Sequence, residues 1–236
     1  MPAVRVLGSV VLNAGVGGLN ALAVEIAARQ GARIVWLPTV DAENEALELA
    51  RNPGAKRAAW AAMQDEFSSL GVYRGPVKVV ENGKVVPELA DVLDVVASHD
   101  VVLATGHLSR DEILVVAEAA TARRVTSLVI THPDYPTQRL SLDDQRLLAS
   151  RGAILERCLV PFLSGKASWE QLFAGIRATG VENNVLSTDL GQVGNPAVED
   201  GLALLVDRLL EAGFTDDDVR TMAVTNTRRL AGDSDG

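Results

Sequence analysis

A single cysteine, three histidines and an aromatic content of 4% leave this 236-residue sequence poor in several common building materials. With Cys158 alone, no intrachain disulfide can form, which fits a reducing compartment. Cations are outnumbered, 22 Lys and Arg against 31 Asp and Glu, for a formal net charge of −9. Such a chain is repelled by phosphate backbones and by anionic bilayers, so nucleic acid and membranes are excluded as general partners. No apolar run reaches the roughly 20 residues that span a bilayer. Met1–Arg5 also lacks the basic segment, apolar stretch and cleavage site of a signal peptide. A cytoplasmic protein is the expectation. There is no GxGxxG and no lysine-bearing phosphate loop, so a nucleotide-binding reading is poor.

What is present is aliphatic. The chain is 47% hydrophobic, enough for one sizeable core, and reads as a single domain over residues 1–231 with a loose acidic tail at 232–236. Short β-prone runs alternate with helical patterns. Val4–Leu12, Arg33–Pro38, Asp100–Thr105, Ser127–Thr131, Ala153–Arg157 and Asn184–Thr188 are the strand candidates. They are nearly continuous apolar runs, as parallel strands covered on both faces are. Between them, Leu19–Gln30 predicts a helix closed by Gly31. Residues 41–70 predict a helix broken near Asn52-Pro53-Gly54. Pro87 opens another helix, and Ser109-x-x-Glu112 and Ser168-x-x-Gln171 are capping boxes. Ser141 starts a further helix, and helices over about 197–212 and 216–224 follow, with Asn226 expected to cap a last short one. Asn82-Gly83 between two β-prone runs signals a hairpin excursion. Strict βα alternation argues for a parallel sheet, open or closed into a barrel.

Chemistry gathers at the strand ends. VVLATGH ends in His107, SLVITH in His132, AILERC in Cys158 and NVLSTD in Asp189. In a parallel α/β fold all C-terminal strand ends share one rim, so topology alone collects these residues. Two imidazoles and a carboxylate suit Zn²⁺, with Mn²⁺ or Fe²⁺ as alternatives. Taken singly, each histidine is more often a packing or hydrogen-bonding residue, and Asp189 a turn cap; the matched offsets favour a shared site. His99 stands at a helix end, where it is expected to meet the last carbonyls. Cys158 reads as buried rather than nucleophilic. Glu156 is left open between touching substrate and pairing with a cation. Gln192 and Asn195, in the loop after Asp189, are candidate substrate-orienting donors, with loop packing an equal alternative. The Asn13–Asn20 loop is glycine-rich, and its amides offer an anion a place to bind. Arg110 and Arg139 read as solvated, with anion binding the lesser possibility.

In order and spacing, ThrGlyHis107, IleThrHis132Pro and SerThrAsp189LeuGly resemble strands five, six and eight of the amidohydrolase superfamily barrel. The wider texture is similar to a domain-of-unknown-function branch of that superfamily. Matching stretches include ValValLeuAsn13, IleValTrpLeuProThr39ValAsp41, ThrHis132ProAsp134Tyr, LeuSerThrAsp189LeuGlyGln192 and the ending ThrAsn226ThrArgArgLeuAlaGly232. The resemblance covers essentially the whole chain. It implies a (β/α)8 TIM-barrel type of fold, present as roughly strands three to eight with a small hairpin excursion. It implies His107, His132 and Asp189 as metal ligands, Asp189 also as the base for an attacking water, and Asn13 and Thr39 beside Gln192 and Asn195 as substrate-binding residues. The superfamily's His-x-His pair at the end of strand one is missing, because the only histidines are His99, His107 and His132. Strands one and two are therefore expected to be absent, through truncation, closure by a partner chain, or degeneration, with truncation favoured. Unpaired strand edges would promote a homo-oligomer. The implied activity is metal-dependent hydrolysis of a small-molecule amide, ester or phosphoester. The alternatives are a degenerate, non-catalytic barrel used for binding or assembly, and a metal-dependent decarboxylase on the same scaffold.

Overall fold

The structure is a computed structural model that describes residues 6–52, 59–73 and 75–233. Val4 and Arg5 of the first strand candidate, Pro53 and Gly54 of the predicted helix break, and the last three residues of the tail lie outside them. The chain divides into two compact units, residues 1–128 and 129–236.

In the first unit, β1 (Gly8–Val11), β2 (Ala32–Trp36) and β5 (Val102–Ala104) run parallel in the order β1-β2-β5, with Val11 opposite Trp36 and Trp36 opposite Ala104. Helix α1 (Ala21–Arg29) follows β1; the Asn20 side chain accepts from Ala23 N at its start, and Gly31 at φ +89° ends it. Only glycine enters that left-handed region without a Cβ penalty. After β2 come α2 (Glu43–Arg51) and α3 (Ala59–Ser69). The hairpin of β3 (Val80–Glu81) and β4 (Lys84–Val85) turns through Asn82 and Gly83, both at positive φ, the primed turn that matches strand twist. Helix α4 (Pro87–His99) opens on its proline. Helix α5 (Arg110–Ala122) begins with the full Ser109–Glu112 capping box. Leu12, Val24, Val35, Leu37, Val92, Leu93, Val96, Leu103, Ile113 and Val116 are buried. Each fully buried aliphatic side chain contributes roughly 1.5–3 kcal/mol.

The second unit repeats the pattern. Strands β6 (Leu128–Thr131), β7 (Ile154–Cys158) and β8 (Asn184–Ser187) are parallel in that order. Helix α6 (Leu142–Ser150) follows β6 and is capped by Ser141. A short α7 (Val160–Leu163) and α8 (Trp169–Thr179), with its Ser168–Gln171 capping box, follow β7. After β8 come α9 (Val198–Glu211), α10 (Asp216–Arg220), a π-helical turn over Thr221–Thr225 and α11 (Asn226–Leu230). Leu159, Phe162, Leu172, Ile176, Leu186, Leu205, Leu209, Phe214 and Met222 form this unit's core.

The chain is thus mixed α/β, with six parallel strands separated by helices. Among the described residues β1 pairs only with β2 and β8 only with β7. No helix among them is long and apolar enough to cross a membrane. Two expectations change. Asn226 caps no helix, because the backbone is already helical before it. Its amide instead donates to Val181 O at 2.9 Å and Asn184 O at 2.7 Å, tying the C-terminal helices to β8. His99 meets not the end of its own helix but Glu25 on α1, Nε2 to Oε2 at 2.8 Å, which satisfies its ring against a charge instead of a carbonyl.

Candidate functional site

At the C-terminal ends of β1 and β2, two of the expected substrate contacts are bound to each other. The Asn13 amide nitrogen donates to Thr39 Oγ1 at 2.9 Å, and its oxygen accepts from Thr39 N at 2.9 Å and from Asp41 N at 3.3 Å. Asp41 in turn accepts from Ala14 N and from the Gln64 amide. This half-buried polar clamp fixes the two loops relative to each other. Burial, then the Asp41 charge, pushes the neighbouring Tyr73 phenol up to about 12, so it stays protonated.

His107 follows Gly106, whose φ of +60° turns the chain after β5; a Cβ there would lie 2.4 Å from the Leu37 and Pro38 carbonyl oxygens. The His107 amide donates to Pro38 O at 3.0 Å, and its carbonyl accepts from the Asn44 side chain at 3.0 Å. Its Nδ1 lies 3.0 Å from Glu45 Oε1. The contact is a charge contact without hydrogen-bond geometry, so it sets a carboxylate beside the ring but does not fix which nitrogen carries the proton. Glu45 also lines a groove of about 430 Å³ with Val40, Leu49, Trp60, Gln64 and Tyr73.

In the second unit, His132 sits one residue past β6 at φ +50° and Asp189 two past β8 at φ +55°. A non-glycine residue held left-handed costs of order 1–3 kcal/mol, and such strain concentrates at functional positions. His132 Nε2 lies 3.9 Å from Asp189 Oδ2; the histidine is 12% exposed and the aspartate 43%. A tetrahedral ion with donors about 2.0–2.2 Å away would hold the two atoms about 3.4 Å apart, so this pair stands somewhat wider than a bound ion would set it. On the other side of the ring, Nδ1 is 3.0 Å from Cys158 Sγ, which is 2.9 Å from Ser187 Oγ. By chemistry the donors, an imidazole whose Nδ1 contacts Cys158 and a carboxylate on the Nε2 side, are of the type that holds a divalent cation. Among the described residues no group of three or more His, Cys, Asp or Glu is close enough to hold a metal.

The cysteine–histidine contact also has the outline of a nucleophile and its base. Its environment opposes that use. Cys158 is 2% exposed, and burial, then the Glu156 charge, pushes its thiol well above the ordinary value, so the reactive thiolate is disfavoured.

The turn that carries His132 is pinned from behind. Arg157 and Asp134 are almost wholly buried, with Nη1 donating to Oδ1 at 2.8 Å and to Oδ2 at 2.9 Å. Arg157 Nε donates to Asn184 Oδ1 at 2.7 Å. Gly175 on α8 makes room, since a Cβ there would come within 2.8 Å of the guanidinium. Gln192 and Asn195 lie in the loop after Asp189, with the Asn195 amide donating to Gln192 Oε1. Glu45 and Arg157 carry no motif of their own; sequence order gives no sign that they meet His107 or the His132 turn.

Residues 1–156 match the model of a family of unknown function, DUF6282. No curated protein matches the chain. Among solved structures, the probable dipeptidase PvdM from Pseudomonas aeruginosa is 12% identical with a TM-score of 0.60; the match covers 92% of this chain and 66% of that one. An amidohydrolase from Pseudomonas aeruginosa is also 12% identical, with a TM-score of 0.58, over 90% of this chain and 68% of that one. At such identity the likeness is one of fold.

Proposed function

We propose that this chain, which belongs to the DUF6282 family of unknown function, contributes the core of a metal-dependent hydrolase acting on a small-molecule amide, ester or phosphoester. The observation that supports this best is the approach of His132 Nε2 to Asp189 Oδ2 at 3.9 Å, both on left-handed backbones just past their strands. His132 and Asp189 would hold a divalent ion, Zn²⁺ before Mn²⁺ or Fe²⁺. For His107, in the first unit, the family resemblance implies the same role, and Glu45 Oε1 lies 3.0 Å from its Nδ1. When bound, such an ion supplies Lewis acidity and lowers the pKa of a coordinated water. The chain's own residues do the rest. Asp189, 43% exposed, is accessible to water and accepts a proton at its carboxylate. His132, set deeper, gives the site a fixed nitrogen. Gln192 and Asn195, on the loop beyond Asp189, are the proposed donors that orient a substrate.

The test is elemental analysis of the purified protein after loading with Zn²⁺, Mn²⁺ or Fe²⁺, beside His107→Ala, His132→Ala and Asp189→Ala. About one equivalent in the wild type and loss in the His132 and Asp189 variants is expected. A folded wild type that takes no metal would favour the non-catalytic binding reading. Equal metal in every variant would overturn the ligand assignment. Product analysis on amide, ester, phosphoester and aromatic carboxylate panels then separates hydrolysis from decarboxylation.

A further inference from the structure

We propose that the groove between α2 and α3 is a binding site for a small primary amine, with the ammonium at Glu45 and the apolar body against Trp60 and Tyr73. No bound metal enters into it, so it stands whether or not the chain takes one.

The opening is written in the two helices. On a helix, residues four apart lie one above the other on the same face. Ala42, Ala46 and Ala50 follow that spacing at the cap and along α2, and all three line the groove, with Glu45 and Leu49 beside them. Trp60 and Gln64 do the same on α3. Three methyl side chains cannot fill the space that three larger aliphatics would close. About 430 Å³ stays open, within the roughly 300–1,000 Å³ of small-molecule pockets. The wall is held in place by the clamp at the strand ends. The Gln64 amide donates to Val40 O at 2.8 Å and to Asp41 Oδ1 at 2.5 Å, and the Tyr73 phenol lies 3.5 Å from the same nitrogen.

The chemistry of the lining selects the occupant. The Glu45 side chain is 16% exposed, so its carboxylate is largely shielded from bulk water. Among the described residues it meets only the His107 ring, without the geometry of a hydrogen bond. A carboxylate has two acceptor oxygens and no donor. Shielded from water, such a group costs free energy until donors reach it. The groove gives donors that access, and an ammonium brings three N–H groups together with the opposite charge. Asp65 adds a second carboxylate, and the described lining residues include no Lys or Arg. The ring faces of Trp60 and Tyr73 attract a cation as well, and Val40 and Leu49 offer apolar surface to the rest of the molecule. A neutral isostere would gain only the apolar contacts, and an anion would be repelled.

The test is calorimetric titration of metal-free full-length protein in about 0.15 M salt, which screens the general pull of a −9 chain on cations. The probes are phenethylamine, 2-phenylethanol and 3-phenylpropanoate, a cation, a neutral molecule and an anion on similar bodies. Phenethylamine is expected to bind at about 1 mM or tighter, about tenfold or more ahead of 2-phenylethanol, with no binding of 3-phenylpropanoate. Glu45→Gln should weaken phenethylamine about tenfold. Ala46→Leu, which fills the groove from an exposed position on α2, should abolish binding with the circular dichroism spectrum unchanged. Tryptophan fluorescence locates the site: phenethylamine should change the emission of the wild type and not that of Trp60→Phe, which keeps Trp36 and Trp169. No binding of phenethylamine, equal binding of 2-phenylethanol, or an affinity unchanged in both Glu45→Gln and Ala46→Leu would overturn the site. Should Glu45→Gln not fold, an unchanged affinity in Ala46→Leu overturns it alone.

Discussion

Replacing Asp134 by alanine should be among the most damaging single changes in the second unit. Arg157 is fully buried and Asp134 nearly so, and both carboxylate oxygens accept from Nη1, at 2.8 and 2.9 Å. Without Asp134 the guanidinium keeps, among the described residues, the neutral acceptors Asn184 Oδ1 at 2.7 Å and, at a longer 3.5 Å, Thr179 Oγ1. A buried charge stripped of its partner costs about 3–5 kcal/mol. That is a large share of the roughly 5–15 kcal/mol that holds a typical domain together. At this chain length it corresponds to a drop of roughly 6–20 °C in Tm. Urea unfolding followed by circular dichroism, wild type against Asp134→Ala, measures it. The double variant Asp134→Ala with Arg157→Met should recover much of the loss, because the orphaned charge is gone. A loss below about 1 kcal/mol in the single variant, or an undiminished loss in the double, would refute the argument that an uncompensated charge is the cause.

Three further outcomes are expected. Gly106→Ala should cost at least about 2 kcal/mol in urea unfolding, since it combines left-handed strain with a 2.4 Å approach to the Leu37 and Pro38 carbonyl oxygens; a neutral effect would mean the turn before His107 can relax. Ser109→Ala should cost about 1 kcal/mol by the same measurement, because it removes the hydroxyl that accepts from Glu112 N, while the backbone amide of residue 109 can still donate to the Glu112 carboxylate; no change would show that packing alone sets that helix start. Glu25 is held below its ordinary 4.5 chiefly by the hydrogen bond from His99, then by the one from Arg29. A lowered carboxylate stabilises the fold above its unfolded value and stops doing so as pH falls through the folded one. Glu25→Gln should therefore be less stable than wild type at neutral pH and equal to it in acid well below 4.5. A gap that persists there would point to packing.

The sequence by itself determined the features that are local in the chain. Ser109, Ser141 and Ser168 mark their helix starts because a cap needs only a side-chain oxygen two or three residues ahead of an amide. Asn82-Gly83 marks its hairpin because few other pairs take two positive φ angles in succession. The βα alternation is legible for the same reason, since strand and helix periods are written within single segments. The order of His107, His132 and Asp189 at strand ends could be read as well, because a parallel fold gives every such end the same position. Tertiary structure alone decided what each of them touches. Nothing within either segment places Glu45 beside His107 or Cys158 beside His132; those contacts come from neighbouring strands and loops that sequence distance does not encode. The partner of His99 followed α1 rather than its own helix end. That Asn13 and Thr39, expected to contact a substrate, also hydrogen-bond to each other is a tertiary fact, because two polar loops converging at a rim satisfy their hydrogen bonds where they meet. Arg157 reads in sequence as a charged residue in an apolar run, and it is the fold that places Asp134 close enough to make its burial tolerable.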